Sequence, residues 1–147
     1  MSLKEKLMED LKASMRNKDK IRKNAVTMIR AAIKQREVDG RVELEEDDVI
    51  DIIVKQVKQK KDSIENFKAG NREDLVTLTE EEIAILNEYL PRQLTEEELE
   101  EVVIEAIKKT GAQSKKDIGK LMAEIMPRVK GKAEGKHVNE IIMRHLK

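Results

Sequence analysis

Two clusters of Lys and Arg are the side chains best placed to do chemistry in this sequence, and the chemistry they suit is the binding of phosphate. In the C-terminal stretch Lys115, Lys116, Lys120, Arg128, Lys130, Lys132 and Lys136 follow one another closely, the last four interleaved with Gly131 and Gly135. That spacing predicts a mobile loop ending at a helix start, where unsatisfied backbone N–H groups add to the attraction for an anion. Lys115 and Lys116 themselves stand at a helix start, where a cation opposes the helix dipole, so a role other than helix stability is expected of them. Nearer the N-terminus, Lys23, Arg30 and Lys34 recur at spacings that bring them to one side of a helix turning about 100° per residue, with Lys20, Arg22 and Arg36 close by. For this strip a solvated helix face that pairs with the acidic middle block is the first reading, because charge runs are commonly that, and phosphate binding is the alternative.

Other chemistries are excluded or poorly supported. The 147 residues contain no Cys and two His, so thiolate zinc sites, disulfides and Cys nucleophiles are unavailable. His137 and His145 are separated by about 80° around a helix, too far to share a metal. Gly131 to Lys136 is superficially like a phosphate cradle, but the glycines are one residue too close, His137 stands where a Ser or Thr should hold magnesium, and no apolar strand leads in. The acidic runs Glu80 to Glu82 and Glu96 to Glu98 fall at helix starts, where they complement the dipole, and no isolated acid–base pair is evident. With only Phe67 and Tyr89 as aromatics, stacking on nucleotide bases is nearly ruled out, so any nucleic-acid contact is to backbone and shape. No cofactor is expected.

The elements that must position these side chains read as helices throughout. Ser2 with Glu5 starts the first, which carries Leu3, Leu7, Leu11 and Met15, and Asp19 caps a second that runs to about Val38 with Gly40 as its stop. A third, from about Glu46 to Ala69, has Ile50, Val54, Val57 and Ile64 as its apolar stripe, with Lys61 predicting that its second half leaves the core. Asn71 is expected to cap a fourth segment reaching Leu90, with a restart at Thr79 left open. Leu90-Pro91 ends it, and the capping box Thr95 to Glu98 opens a C-terminal group of three short helices, the first closing at Gly111 and the second capped by Ser114. The expectation is an all-α protein: an N-terminal bundle of about four helices over residues 1–92 and a small three-helix domain over residues 93–147.

Charge is unevenly shared although 30 basic groups balance 30 acidic ones. Residues 1–70 carry +3, residues 71–110 carry −8 and residues 111–147 carry +5, and within the first block residues 12–36 hold a local +8. The opening residues lack both the apolar block of a secretory signal and the acid-poor bias of a transit peptide, which makes the cytoplasm the default compartment. No apolar run is long enough to predict a membrane span.

At these motifs the chain resembles the YqeY family, related to the tail domain of the B subunit of the tRNA-dependent amidotransferases. The markers are Lys60-Lys61-Asp62-Ser63-Ile64, Asn71-Arg72-Glu73-Asp74-Leu75, Tyr89-Leu90-Pro91, Lys116-Asp117-Ile118-Gly119-Lys120-Leu121-Met122, Met126-Pro127 and Gly131-Lys132-Ala133-Glu134-Gly135-Lys136. The resemblance implies a tail-like C-terminal helical domain that holds tRNA, or another structured RNA, without the catalytic domain of the larger enzyme. The family label also implies a carbon–nitrogen ligase activity with glutamine as amide donor. The residues do not support it, lacking a Cys nucleophile, a serine–lysine arrangement and a nucleotide loop. An alternative partner is a synthetase or an amidotransferase, docked through the acidic middle block. Oligomeric state is not legible.

Overall fold

A computed structural model describes residues 2–146, and seven α-helices, with no strand among the described residues, make up the fold. They group into two compact units, one ending at Leu90 and one beginning at Pro91.

In the first unit α1 (Leu3–Arg16), α2 (Lys20–Gly40), α3 (Glu46–Ala69) and α4 (Glu73–Asn87) pack as two helical hairpins, α1 against α2 and α3 against α4, joined through α2. Ser2 accepts from the Glu5 N–H and Asp19 from the Arg22 N–H, so both short-side-chain caps act where local chemistry places them. The ends are less obedient to local rules. Gly40 remains helical, and Arg41 takes the left-handed conformation at φ 52°, because the Val42 N–H reaches back to the Glu37 carbonyl and closes the helix in the Schellman manner. Asn71 is likewise left-handed, at φ 57°, in the turn between α3 and α4, and Arg72 occupies the cap position in its place. Thr79 does not restart α4. Its hydroxyl donates to the Leu75 carbonyl one turn back, which leaves the buried side chain satisfied inside an unbroken helix.

The core of this unit joins Leu7, Leu11, Ala25, Val26, Ile29, Ile33, Leu44, Leu86 and Tyr89 to Val49, Ile52, Ile53 and Val57. On α3 the buried stripe is therefore Val49, Ile52, Ile53 and Val57, while Ile50 and Val54 are half-buried. An apolar residue at either edge of a broad arc satisfies the period equally well, and only the neighbours α2 and α4 decide which edge is covered. The second half of α3 contributes no fully buried residue.

In the second unit α5 (Glu96–Thr110), a 3-10 turn (Lys115–Asp117), α6 (Ile118–Val129) and α7 (Gly135–His145) enclose Leu99, Val103, Ala106, Leu121, Ile125, Val129, Val138, Ile141, Ile142 and Leu146. Thr95 and Glu98 form the reciprocal capping box of α5, and Gly111 ends it at φ 70°, where a Cβ is strained. Pro127 lies inside α6, which runs two residues past it.

Glu98 carries a pH signature. The Arg92 guanidinium, bidentate at 2.9 and 2.7 Å, and then the Thr95 backbone N–H hold its carboxyl down at about 2. A carboxylate depressed on folding contributes stability above its unfolded pKa and loses it as pH falls through the folded value. Urea unfolding of the wild type and Glu98→Gln should thus differ at neutral pH, with the gap narrowing from about pH 4.5 downward and closing near pH 2. A gap that persists at pH 2 would show that the carboxylate's charge is not what the cap uses.

Candidate nucleic-acid interface

The C-terminal cations divide according to what α6 does with them. Ser114 and Asp117 cap each other across the 3-10 turn, and Asp117 accepts from the Gln113 and Ser114 N–H groups, which hold its carboxyl below the usual range. That carboxylate offsets the cost of two lysines at a helix start, and Lys115 and Lys116 project into solvent. Lys120 is exposed but donates to the Thr110 carbonyl at 3.1 Å, closing the end of α5. Arg128 pairs with Glu105 at 3.0 Å, and Lys130 is half-buried and already engaged.

After α6 the chain is not the free loop that its glycines suggest. Gly131 is buried at φ 74°, its carbonyl accepts from the Gln93 side-chain amide at 2.6 Å, and the Lys132 carbonyl accepts from the Leu94 N–H at 2.9 Å. Two glycines lower the intrinsic stiffness of a segment, but long-range hydrogen bonds from residues 93 and 94 hold this one in place. The result is a formed concavity of about 370 Å³ whose lining includes Lys132, Lys136, His137 and, on the acidic side, Glu134 and Glu140. No side-chain hydrogen bond caps α7 at Glu134, whose backbone carbonyl accepts from the Val138 N–H at 3.0 Å.

Lys115, Lys116, Lys132 and Lys136 therefore differ from Lys120, Arg128 and Lys130: among the described residues none of the four has an ion-pair partner. They flank the two ends of α6, whose 12 residues span about 18 Å. In the first unit Lys23 and Lys34 are exposed and Arg30 is half-buried, and Arg30 and Lys34 also line a groove between α1 and α2 beside Leu7, Met8, Leu11 and Ile33.

Sequence reasoning missed one polar constellation. The buried Tyr89 hydroxyl donates to Asp10 Oδ2 at 2.5 Å across 79 residues of sequence, Arg22 pairs with Glu88 at 2.7 Å, and the Lys6 ammonium lies 5.1 Å from the Tyr89 ring centroid. Burial first, and the Asp10 carboxylate next, push the Tyr89 phenol up, so it remains a proton donor. These groups line a concavity of about 340 Å³ between α1, α2 and the end of α4. The lone tyrosine next to Leu90-Pro91 was the only local signal for it. Asp10→Ala strands a buried hydroxyl and is expected to cost about 1–3 kcal/mol in urea unfolding, with Tyr89→Phe recovering part of the loss in the double variant. Equal stability of Asp10→Ala and the wild type would remove the pair from the account.

The profile of the Yqey-like protein family matches residues 4–146. The chain belongs to this family. Among relatives, "Altered inheritance of mitochondria protein 41, mitochondrial" from Saccharomyces cerevisiae is 31% identical over 125 residues, 81% of this chain and 68% of that protein. The proteins of the same name from Candida glabrata and Lachancea thermotolerans are 38% and 41% identical over 86 and 85 residues, 57% of this chain in each case and 47% and 46% of theirs. This member of the Yqey-like family thus spans about half the length of those two relatives. Their names also overturn the cytoplasmic default: the relatives are mitochondrial by name. That default rested on features the opening residues lack, and a missing leader pattern in one stretch of sequence carries no information about a compartment.

Proposed function

We propose that this Yqey-like protein binds structured RNA, tRNA foremost, by contacts to phosphates from its C-terminal unit. The observation that carries the reading is the set of four cations, Lys115, Lys116, Lys132 and Lys136, left without carboxylate partners at the two ends of one rigid helix. An unpaired lysine on an ordered surface retains its full attraction for an external anion, whereas Lys120, Arg128 and Lys130 are already committed. Separation of the two pairs by the length of α6 suits an extended polyanion better than a single small phosphate. The low aromatic content supports recognition of backbone and shape over bases. The resemblance to the amidotransferase tail, associated with tRNA, supports the choice of RNA.

The decisive experiment is retention of bulk tRNA by the purified chain at low and moderate salt. A complex that forms at low salt and weakens steeply as salt rises supports the reading, and no affinity at low salt ends it.

A further inference from the structure

A concavity of about 630 Å³ lies between α1 and α2. Leu7, Leu11 and Ile33 give it an apolar floor, and Met8, which also lines it, is 39% exposed. The helices are antiparallel, since Lys4 near the start of α1 pairs with Glu37 near the end of α2 at 2.6 Å. That pair closes one end of the groove. Along α2 the lining runs from Thr27 to Glu37, a length of about 15 Å, or close to three turns of a helix laid beside it.

Charge selects the occupant. Arg30 and Lys34 stand on the wall, and among the described residues neither has an acidic partner. They belong to the stretch 12–36, whose net charge is +8. A polyanion such as RNA gains nothing from an apolar floor, and the groove offers no aromatic ring for a base to stack on. An amphipathic helix gains on both counts, placing apolar anchors at i, i+3 or i+4, and i+7 on the floor and carboxylates beside Arg30 and Lys34. An exposed methionine suits such a surface because its unbranched, polarizable side chain adapts to the anchor it meets.

A second copy of this chain fits poorly. Its acidic helices α4 and α5 each present a single exposed large apolar residue, Leu78 and Ile104, where a ridge of three is needed. We propose that the groove between α1 and α2 is a docking site for an amphipathic helix of another protein, one whose apolar ridge is flanked by Glu or Asp. This goes beyond RNA binding by the C-terminal unit and uses none of its four cations.

The test is fluorescence anisotropy with the full chain and two labelled helical peptides that share one Leu ridge, one flanked by Glu and the other by Lys. The Glu-flanked peptide is expected to bind, about tenfold or more tighter than its Lys-flanked twin, and to weaken with salt. Met8→Glu should weaken it, and Arg30→Glu with Lys34→Glu should weaken it and strengthen the Lys-flanked peptide. That exchange of preference is a readout that misfolding does not produce, and far-UV circular dichroism of each variant checks the fold. Equal binding of the two peptides, or indifference to the Arg30 and Lys34 reversal, overturns the proposal. It is also overturned if the reversal abolishes tRNA retention while no peptide binds, which makes the groove an RNA surface. Sedimentation showing a dimer that Met8→Glu dissociates overturns it in favour of a second copy.

Discussion

Changing Lys115, Lys116, Lys132 and Lys136 to Ser is expected to remove salt-sensitive retention of bulk tRNA. If the wild-type chain contacts four phosphates, its affinity falls by about 100-fold between about 50 and 200 mM salt, because each neutralised phosphate releases nearly one counterion. The variant should bind weakly even at low salt and show a much flatter dependence. Thermal unfolding should change little, since none of the four holds a carboxylate and surface changes of this kind stay within about 0.5 kcal/mol each. The matched control replaces Lys12, Lys55, Lys58 and Lys68, four exposed lysines of the first unit, and alters net charge by the same amount. Retention of tRNA by the control and loss by the test variant place the interface at the ends of α6. Equal loss in both means that only overall charge matters, and the assignment to the C-terminal unit falls.

The second large effect is on the unit that carries those lysines. Ile125 is fully buried on α6, the helix that packs on both α5 and α7, and Ile125→Ala is expected to cost about 2–5 kcal/mol through lost burial and the cavity left behind. Domains hold roughly 0.05–0.15 kcal/mol of stability per residue, so a unit running only from Pro91 to the C-terminus has little to spare. In the full chain, backbone amide resonances of the second unit should collapse toward random-coil positions while those of the first persist. Ile104→Ala, on the exposed side of α5, is the control and should leave both sets in place. Tandem collapse of both sets would mean that the two cores do not fold independently. Retention of tRNA should disappear with the second unit's dispersion, because the packing of that unit positions all four lysines: Lys115 and Lys116 before α6, Lys132 in the turn held by Leu94, and Lys136 in the first turn of α7.

Helix type and most helix starts were legible without coordinates. Short side chains at Ser2, Asp19 and Thr95 satisfy N–H groups within a few residues of themselves, and such bonds need no distant partner. Gly111 is of the same kind, a local stop set by a left-handed residue. Basic character at the C-terminal end and the family itself were also in the residues, since both depend on identity and order alone.

Tertiary structure decided what depends on neighbours far along the chain. Arg41 and Asn71 are left-handed because the chain must turn into the next helix there, although a glycine stands one residue earlier at each place. The buried edge of α3, the pairing of Asp10 with Tyr89 and the pinning of Gly131 by Gln93 all join residues that no local pattern connects. The same holds for the site. Seven C-terminal cations look alike in sequence, but Lys120, Arg128 and Lys130 are engaged inside the second unit, and Arg30 and Lys34 prove to flank an apolar groove. A lysine's identity sets its charge at once, whereas its availability depends on which carboxylates and carbonyls packing brings within reach, and packing is a property of the whole chain.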